Sequence, residues 1–526
     1  MNHTGKKFSL GTAALLIVLA AYLCAICMIN FSDIPSFYDT DMYADIYYAM
    51  KVWKSKSIFP ENWVFGNQLN AVSAPVLASL FYGLTADPVL SMAIAATVMS
   101  LFVILSFDWM LKPVFKSLNS RLSAVVVLMA LVLFCGKAIE GNIGWSMLFT
   151  MCSYYSGYTI AAFLAFGAYL RPDLLSDWKR AALFAVICAM SFGMGIQSIR
   201  QTVVMVAPLV AVEGLAMLTR VCREGWRKCL NKNSLIIVGG ITVSNLLGLI
   251  FVRLIEINQV EILGSIELNR LSELPGQIKQ ALITFCALLL NESLDSLAIM
   301  GCIGILCILS AIWIVKRFLE SKNQKGMILL LLLSFSVLVI AVIDVMTAML
   351  FASRYYFMVF PLIAYLAADY VEFGKKPVKA IVMSAIVLLA VFAGVKELAA
   401  PCKQIFSGEP DPYTEVGAYL VDQGYPIVFT EWDHGEKAAI AADGKVTASF
   451  WLDQDRPFVP VEYLSDPAIV SGKPEDCVYL FEGERAVDFA MEAAQSKGVT
   501  LELLHHFEDS DIYLYTAPVN LMLLFQ

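Results

Sequence analysis

Four aspartates, Asp33, Asp39, Asp41 and Asp45, crowd the stretch NFSDIPSFYDTDMYADIYYAMKVWKSKSIFPENWVFGNQLNAVSA between Asn30 and Ala74. A loop that only joins two elements has no need of them. Gathering carboxylates costs like-charge repulsion and desolvation, a cost that proton transfer or cation binding would justify. Asp39-Thr40-Asp41 precedes a run of helical character, so Asp39 is placed to cap that helix. Asp41 and Asp45 are four residues apart and share one helical face. Met42, Ile46, Ala49, Met50 and Trp53 form an apolar stripe, and a helix of that pattern is expected to lie flat in a membrane interface.

A carboxylate at such a point suits one class of reaction. A hydroxyl has a pKa far above 7 and needs a general base before it attacks carbon. A leaving phosphate carries negative charge that cationic groups must stabilise. Lys137, Arg200, Arg253, Arg270, Lys279 and Arg354 are candidate cations. Each also reads as an anchor whose charged tip reaches the headgroups. Arg200 and Arg354 stand out, because an arginine at a helix end suits bidentate contact with phosphate. Tyr154, Tyr155 and Tyr158, in SYYSGY, and Tyr355, in RYYF, offer ring faces to a sugar; an interfacial aromatic belt explains them equally well.

These residues need a frame, and composition names it. Of 526 residues, 59% are hydrophobic and only 16% charged; the mean hydropathy is +0.70. This is a membrane protein, not a soluble one. A net charge of −8 argues against a nucleic-acid partner. The Cys24–Cys27 pair falls inside an apolar run, where cysteine acts as a small hydrophobe. The 4 histidines show no metal-ligand spacing, so no metal site is expected among the side chains.

Apolar runs at 8–30, 88–111, 121–136, 146–170, 180–197, 201–219, 234–256, 294–315, 327–348, 353–372 and 378–397 predict about eleven spans. The short apolar segment 72–84 predicts a half-helix or surface helix. Alternate loops are basic: Lys112, Lys116 and Arg121; Arg171, Lys179 and Arg180; Arg220 to Lys232; Lys316 to Lys325; Lys375 to Lys379. That alternation predicts a cytoplasmic N-terminus, and puts loop 31–74 and everything beyond the last span outside. After about residue 402 the chain changes character. Short β-type runs alternate with helical ones, punctuated by Gly and Pro, which predicts a small α/β domain. His505 and His506 fall in one predicted strand and point to opposite faces. Cys402 and Cys477 are candidates for a disulfide. The expected fold is an α-helical polytopic membrane protein, residues 1–400, with a small extracytoplasmic C-terminal α/β domain, residues 401–526.

The segment FYDTDMYADIYYAMKVWKSKSIFPENW, set after a first span and ahead of many more, resembles the GT-C superfamily of polyprenyl-phosphate-sugar-dependent membrane glycosyltransferases. Protein O-mannosyltransferases and lipid A aminoarabinose transferases are of this kind. Asp39 falls where the family has its first acid, and Tyr43-Ala44-Asp45-Ile46 follows in register. Thr40 replaces the second acid and Asp41 comes one position later, so either Asp39 or Asp41 is the base. The resemblance implies inverting transfer of a sugar from a polyprenyl-phosphate donor to an extracytoplasmic glycan, lipid or protein, at the cell membrane. Asp39 and Asp41 would be catalytic. Asp33, Asp45, Lys137, Tyr154, Tyr155, Arg200, Arg270, Arg354 and Tyr355 would bind substrate. Some relatives use a divalent cation and others do not. The rival readings are a lipid-linked sugar flippase or transporter, which should show an internal repeat, and a glycan-binding scaffold. No convincing duplication is present.

Overall fold

A computed structural model describes residues 10–32, 34–66, 68–140, 144–151, 155–224, 230–260, 267–290, 324–348, 353–432, 435–452 and 455–526. Among these residues nine helices are long and apolar enough to cross a membrane. They include α1 (Leu10–Asn30), α4 (Pro88–Leu111), α5 (Leu118–Glu140) and α7 (Trp178–Gln197). The nine match nine of the eleven expected spans. The expected span 294–315 lies outside the described residues. The expected span 146–170 takes another form. Its helix, α6, runs only over Ser156–Tyr169, with 14 residues. At 1.5 Å per residue it is about 21 Å long, short of a hydrocarbon core of roughly 30 Å. It is also buried on all sides, with Leu164 alone partly open. Protein encloses it under the site.

Close crossings fix the bundle. A side chain at Gly195 of α7 would run into the carbonyl of Asn245, and one at Gly248 into the carbonyl of Phe192. Small residues at both contact points let α7 and the helix Lys232–Leu254 approach backbone to backbone, the usual means of helix association in lipid. Gly157 has the same part at the start of α6, where any side chain would meet the Val72 carbonyl. The last span belongs to the helix Lys376–Ser407, whose 32 residues make it about 48 Å long. It outruns the bilayer core and ends at Gly408, whose φ of +65 suits a glycine.

Beyond it stands a five-stranded sheet, order β2-β1-β3-β5-β4. Its strands are β1 (Ile427–Glu431), β2 (Thr447–Trp451), β3 (Cys477–Glu482), β4 (Glu502–Phe507) and β5 (Ile512–Thr516). β1 pairs in parallel with β2 and β3, and β5 runs antiparallel to β3 and β4. The small α/β unit expected from the sequence is present. His505 stacks on Tyr419 and His506 on Tyr513, so they do diverge. Cys402 and Cys477 are both free. One lies in the long terminal helix and the other is buried in β3, with its thiol on the Lys473 carbonyl at 3.0 Å.

Candidate active site

The site is built around α2 (Thr40–Ser55). Asp39 caps it as its position suggests, Oδ1 accepting from the Met42 N–H at 2.8 Å. The helix is not left open as a surface helix would be, however. It is enclosed on three sides. Met42, Ile46 and Ala49 join the core of the bundle. Ala44, Tyr48 and Val52 pack with Trp63, Phe65 and Leu69 from the following loop. Tyr43, Tyr47 and Lys51 face the C-terminal α/β unit. The apolar stripe was legible, but an aromatic face opposite it buries as readily against protein as against headgroups. The short segment at 72–84 does form a helix, α3 (Ala74–Thr85), and Gly83 there makes room for the Trp53 ring.

The grip of the α/β unit on α2 is specific. The Tyr43 hydroxyl accepts from the Ala448 N–H at 2.8 Å, and its ring sits 5.8 Å from that of Phe450. Thr40 Oγ1 donates to Glu436 Oε2 at 3.3 Å, both residues being fully buried. Lys51 forms an ion pair with Asp466 and lies 5.2 Å above the Tyr47 ring. Upstream of the helix, the Ser36 N–H donates to Asp411 Oδ2 at 3.1 Å. Thr40 thus turns towards the α/β unit.

The charges of the helix meet at Asp45. Asp45 is half-buried and accepts from Asn70 Nδ2 at 3.2 Å. Desolvation pushes its carboxyl well above the usual range, the charge of Asp41 adds to this and that of Asp39 less so, against the opposing Asn70 bond. Two of the three carboxylates therefore bear directly on the third. Tyr155, at the start of α6, feels both Asp41 and Arg200. Arg200 Nη2 donates to the Tyr355 hydroxyl at 2.9 Å, with the guanidinium 4.2 Å from that ring's centre. The Arg354 guanidinium is 6.0 Å from the same centre. Two cations far apart in the chain thus flank one tyrosine. Tyr155 stacks on Phe357 at 5.2 Å and neighbours Tyr158 at 6.1 Å, so the aromatic wall is continuous.

Local chain breaks aim these groups. α7 stops at Gln197, and the Ser198 hydroxyl caps the next turn by accepting from the Arg200 N–H at 3.2 Å. A π-helical turn, Thr202–Val206, follows. Such interruptions recur at functional positions because they redirect a side chain out of the helical repeat. Gln197 is buried and pins the loop ahead of α3: its Oε1 accepts from the Val72 N–H at 2.8 Å and its carbonyl from the Leu69 N–H at 2.9 Å. Gln68 in that loop accepts from the Tyr158 hydroxyl at 2.9 Å.

Of the residues singled out by sequence, Asp39, Asp41, Asp45, Tyr155, Arg200, Arg354 and Tyr355 come together here. Arg270 does not join them. It is exposed, and its backbone N–H donates to Glu273 at 3.0 Å ahead of the helix Leu274–Leu290. Asp33, Tyr154 and the side chain of Lys137 lie outside the described residues. Gln68, Asn70, Gln197 and Ser198 were missed, as was Tyr463, whose hydroxyl is pushed up by burial and then by the charge of Asp41. The glutamines and Asn70 belong to no motif, and Tyr463 is over four hundred residues from Asp41 in the chain. Among the described residues no three His, Cys, Asp or Glu side chains gather closely enough to hold a metal ion, so the carboxylates do not by themselves form a cage for a divalent cation.

The fold has known counterparts. The chain matches the crystal structure of ArnT from Cupriavidus metallidurans in the apo state with a TM-score of 0.55 and 10% identity, over 98% of this chain and 99% of that one. It matches the crystal structure of the same protein bound to undecaprenyl phosphate with a TM-score of 0.50 and 10% identity, over 96% and 97%. No protein-family model and no curated protein matches the sequence. The chain has the ArnT fold from end to end: helical polytopic membrane architecture with a small terminal sheet.

Proposed function

We propose that this protein is a GT-C glycosyltransferase that moves a sugar from a polyprenyl-phosphate donor to an acceptor hydroxyl on the extracytoplasmic face of the cell membrane. The observation that carries this reading is the Arg200–Tyr355–Arg354 group, with Tyr155 within electrostatic reach of both Arg200 and Asp41. Two guanidiniums close to one ring bring planar forks of N–H donors to one place, which suits bidentate contact with an anion. A lipid-borne phosphate is such an anion, and ArnT of the same fold has been crystallised with undecaprenyl phosphate. A carboxylate close by supplies the other requirement, a base for the incoming hydroxyl.

In the step, the acceptor oxygen forms a bond to the anomeric carbon while the bond from that carbon to the phosphate oxygen breaks. The acceptor proton passes to the carboxylate, and the electron pair leaves on the phosphate, held by Arg200 and Arg354. Attack opposite the leaving group inverts the anomeric centre. Asp41 suits the role of base better than Asp39. Asp39 holds the helix start with Oδ1, whereas Asp41 bears on Tyr155, Tyr463 and Asp45. Asp45, its carboxyl held protonated more readily, limits the negative charge facing an anionic donor. The basic alternate loops support the outward assignment of this face.

The test is direct. Purified full-length protein in nanodiscs is given undecaprenyl-phosphate-linked sugars, and released undecaprenyl phosphate is measured with and without a crude envelope fraction as acceptor. Acceptor-dependent release, lost in Asp41→Asn, is the expected result. Movement of the intact lipid-linked sugar between leaflets, with no release, would make the protein a transporter instead.

A further inference from the structure

Among the described residues, a cavity is left unexplained by the donor side of this chemistry. It has a volume of about 350 Å³ and lies between the loop after β2 and the segment that follows the helix Lys232–Leu254, with Val260 on one wall. That volume is within the roughly 300–1,000 Å³ of small-molecule sites. The loop is held on both sides. Pro460 bridges to Trp451 at the edge of the sheet, and Ser465 bridges to Val64 in the loop that covers α2. The cavity is therefore a feature of the junction between the α/β unit and the membrane unit, and its shape depends on both.

Its lining has two kinds of surface. Val459, Pro460, Val461 and the Tyr463 ring are apolar, while Arg456 brings donors and Glu462 acceptors. This is the complement of a sugar ring, which has apolar C–H faces and a rim of hydroxyls. Tyr463 is the shared wall. On one side it lines the cavity; on another its ring is 5.8 Å from Trp432, which in turn is 5.8 Å from Phe450, the residue that touches Tyr43 of α2. Asp41 is near enough to act on it. A ligand in the cavity thus rests on the end of an aromatic row that reaches Tyr43 of α2, the helix that carries Asp41 and Asp45.

We infer that this cavity is a subsite for the acceptor, and that it holds a saccharide ring next to the one that reacts, lying against Tyr463 with its hydroxyls towards Arg456 and Glu462. The inference rests on the glycosyltransferase reading above. It assigns the α/β unit a part in choosing the acceptor, while the donor is held by the membrane unit. Val459 and Leu452 at the rim are about half exposed, at 47% and 52%, which leaves room for the rest of a glycan or for a lipid tail to extend outward.

Occlusion tests this without knowing the acceptor. Val459→Trp fills the cavity from an exposed rim position, so folding is little stressed. Val459→Cys, left free or blocked with a bulky maleimide, repeats the test in one preparation, with wild type treated in parallel to control for the native cysteines. The readouts are transfer of radiolabelled sugar in native-membrane nanodiscs and binding of undecaprenyl phosphate. Transfer should fall at least about tenfold in Val459→Trp and in the blocked Val459→Cys, with the lipid phosphate bound as in wild type. Product in the lipid phase identifies a glycolipid acceptor, and product in the aqueous phase a free or polymeric glycan; both carry the same saccharide chemistry. Full transfer by both occluded forms overturns the assignment. So does loss of lipid-phosphate binding, which would make the cavity part of the donor site, and so does a product linked to a protein hydroxyl. Absence of transfer by untreated wild type would instead defeat the glycosyltransferase reading, and this assignment with it.

Discussion

Exchanging Asp41 for Asn removes one charge and keeps the shape of the side chain, which isolates the proton-accepting role. Asp41 is in the first turn of α2, where a carboxylate gains modestly from the helix dipole, by about 0.3–1 kcal/mol. Losing that is offset in part, because the same exchange relieves the repulsion that Asp41 exerts on Asp45. The melting temperature in detergent should therefore move little. Catalysis should not be spared. A general base contributes about 10²–10⁴-fold, and at about 1.36 kcal/mol per tenfold that is roughly 2.7–5.4 kcal/mol of barrier. The assay is single-turnover release of undecaprenyl phosphate at saturating donor, so that binding does not enter the rate. Asp39→Asn is the internal comparison. Asn caps a helix about as well as Asp, so the Met42 contact survives and only the charge is lost. If Asp39→Asn falls by the full factor while Asp41→Asn keeps wild-type rates, the reasoning from capping fails and the base is Asp39. If both, and the double variant, keep full activity, the carboxylates of α2 are not the catalytic centre.

Arg200→Ala should weaken undecaprenyl phosphate binding by about 2–5 kcal/mol, the usual loss when one member of a desolvated charge pair is removed. Arg200→Lys should recover only part of it, because the planar fork that also holds the Tyr355 hydroxyl is lost; unchanged donor affinity in both would reduce Arg200 to a structural anchor. Lys51→Met should destabilise the protein by about 1–3 kcal/mol, since it leaves Asp466 with only 4% of its side chain exposed and its charged partner gone. Restoration by the double variant with Asp466→Asn would show coupling, and strictly additive losses would deny it. For pH, Asp45 has a folded value above its unfolded one. The stability it contributes is therefore fully present below the unfolded value and is lost as pH rises through the folded value. The melting temperature of wild type should decline over a scan from roughly pH 4 upward, while Asp45→Asn should lack that component; parallel curves for the two would refute the shift.

The sequence made some features plain and hid others for definite physical reasons. The spans were legible because a bilayer demands length and apolarity, and both are written locally. Asp39 as a cap was legible for the same reason: capping is settled within three residues. α6 is shorter than its apolar run and enclosed by protein, which the run could not announce, because a helix sunk in protein reads like one sunk in lipid. α2 failed in the mirror sense. Its stripe was visible, but Tyr43, Tyr47 and Lys51 find their partners four hundred residues later, in the α/β unit. The pairing of Arg200 with Arg354 around Tyr355 could be suspected residue by residue but not joined, because the join is made by a broken helix and a π-turn that no local pattern announces.

Those long-range contacts explain why a membrane enzyme of this kind would keep a folded unit outside the bilayer. α2 bears the carboxylates, and it follows α1 through a loop. Left to itself it would have the freedom of an interfacial helix. Loss of about 1 Å of register can cost a reaction 10²-fold. The α/β unit removes that freedom from several directions at once: Asp411 holds the loop at Ser36, Glu436 holds Thr40 at the first turn, the sheet edge holds Tyr43, and Asp466 holds Lys51 two turns further on. Together these contacts hold the helix on both sides of Asp41 in the chain. The replacement of the second acid by Thr40 fits the same scheme. A carboxylate at that position would be buried against Glu436, where two like charges could not both ionise; a threonine hydroxyl can donate there instead, and the acid comes one residue later, at Asp41.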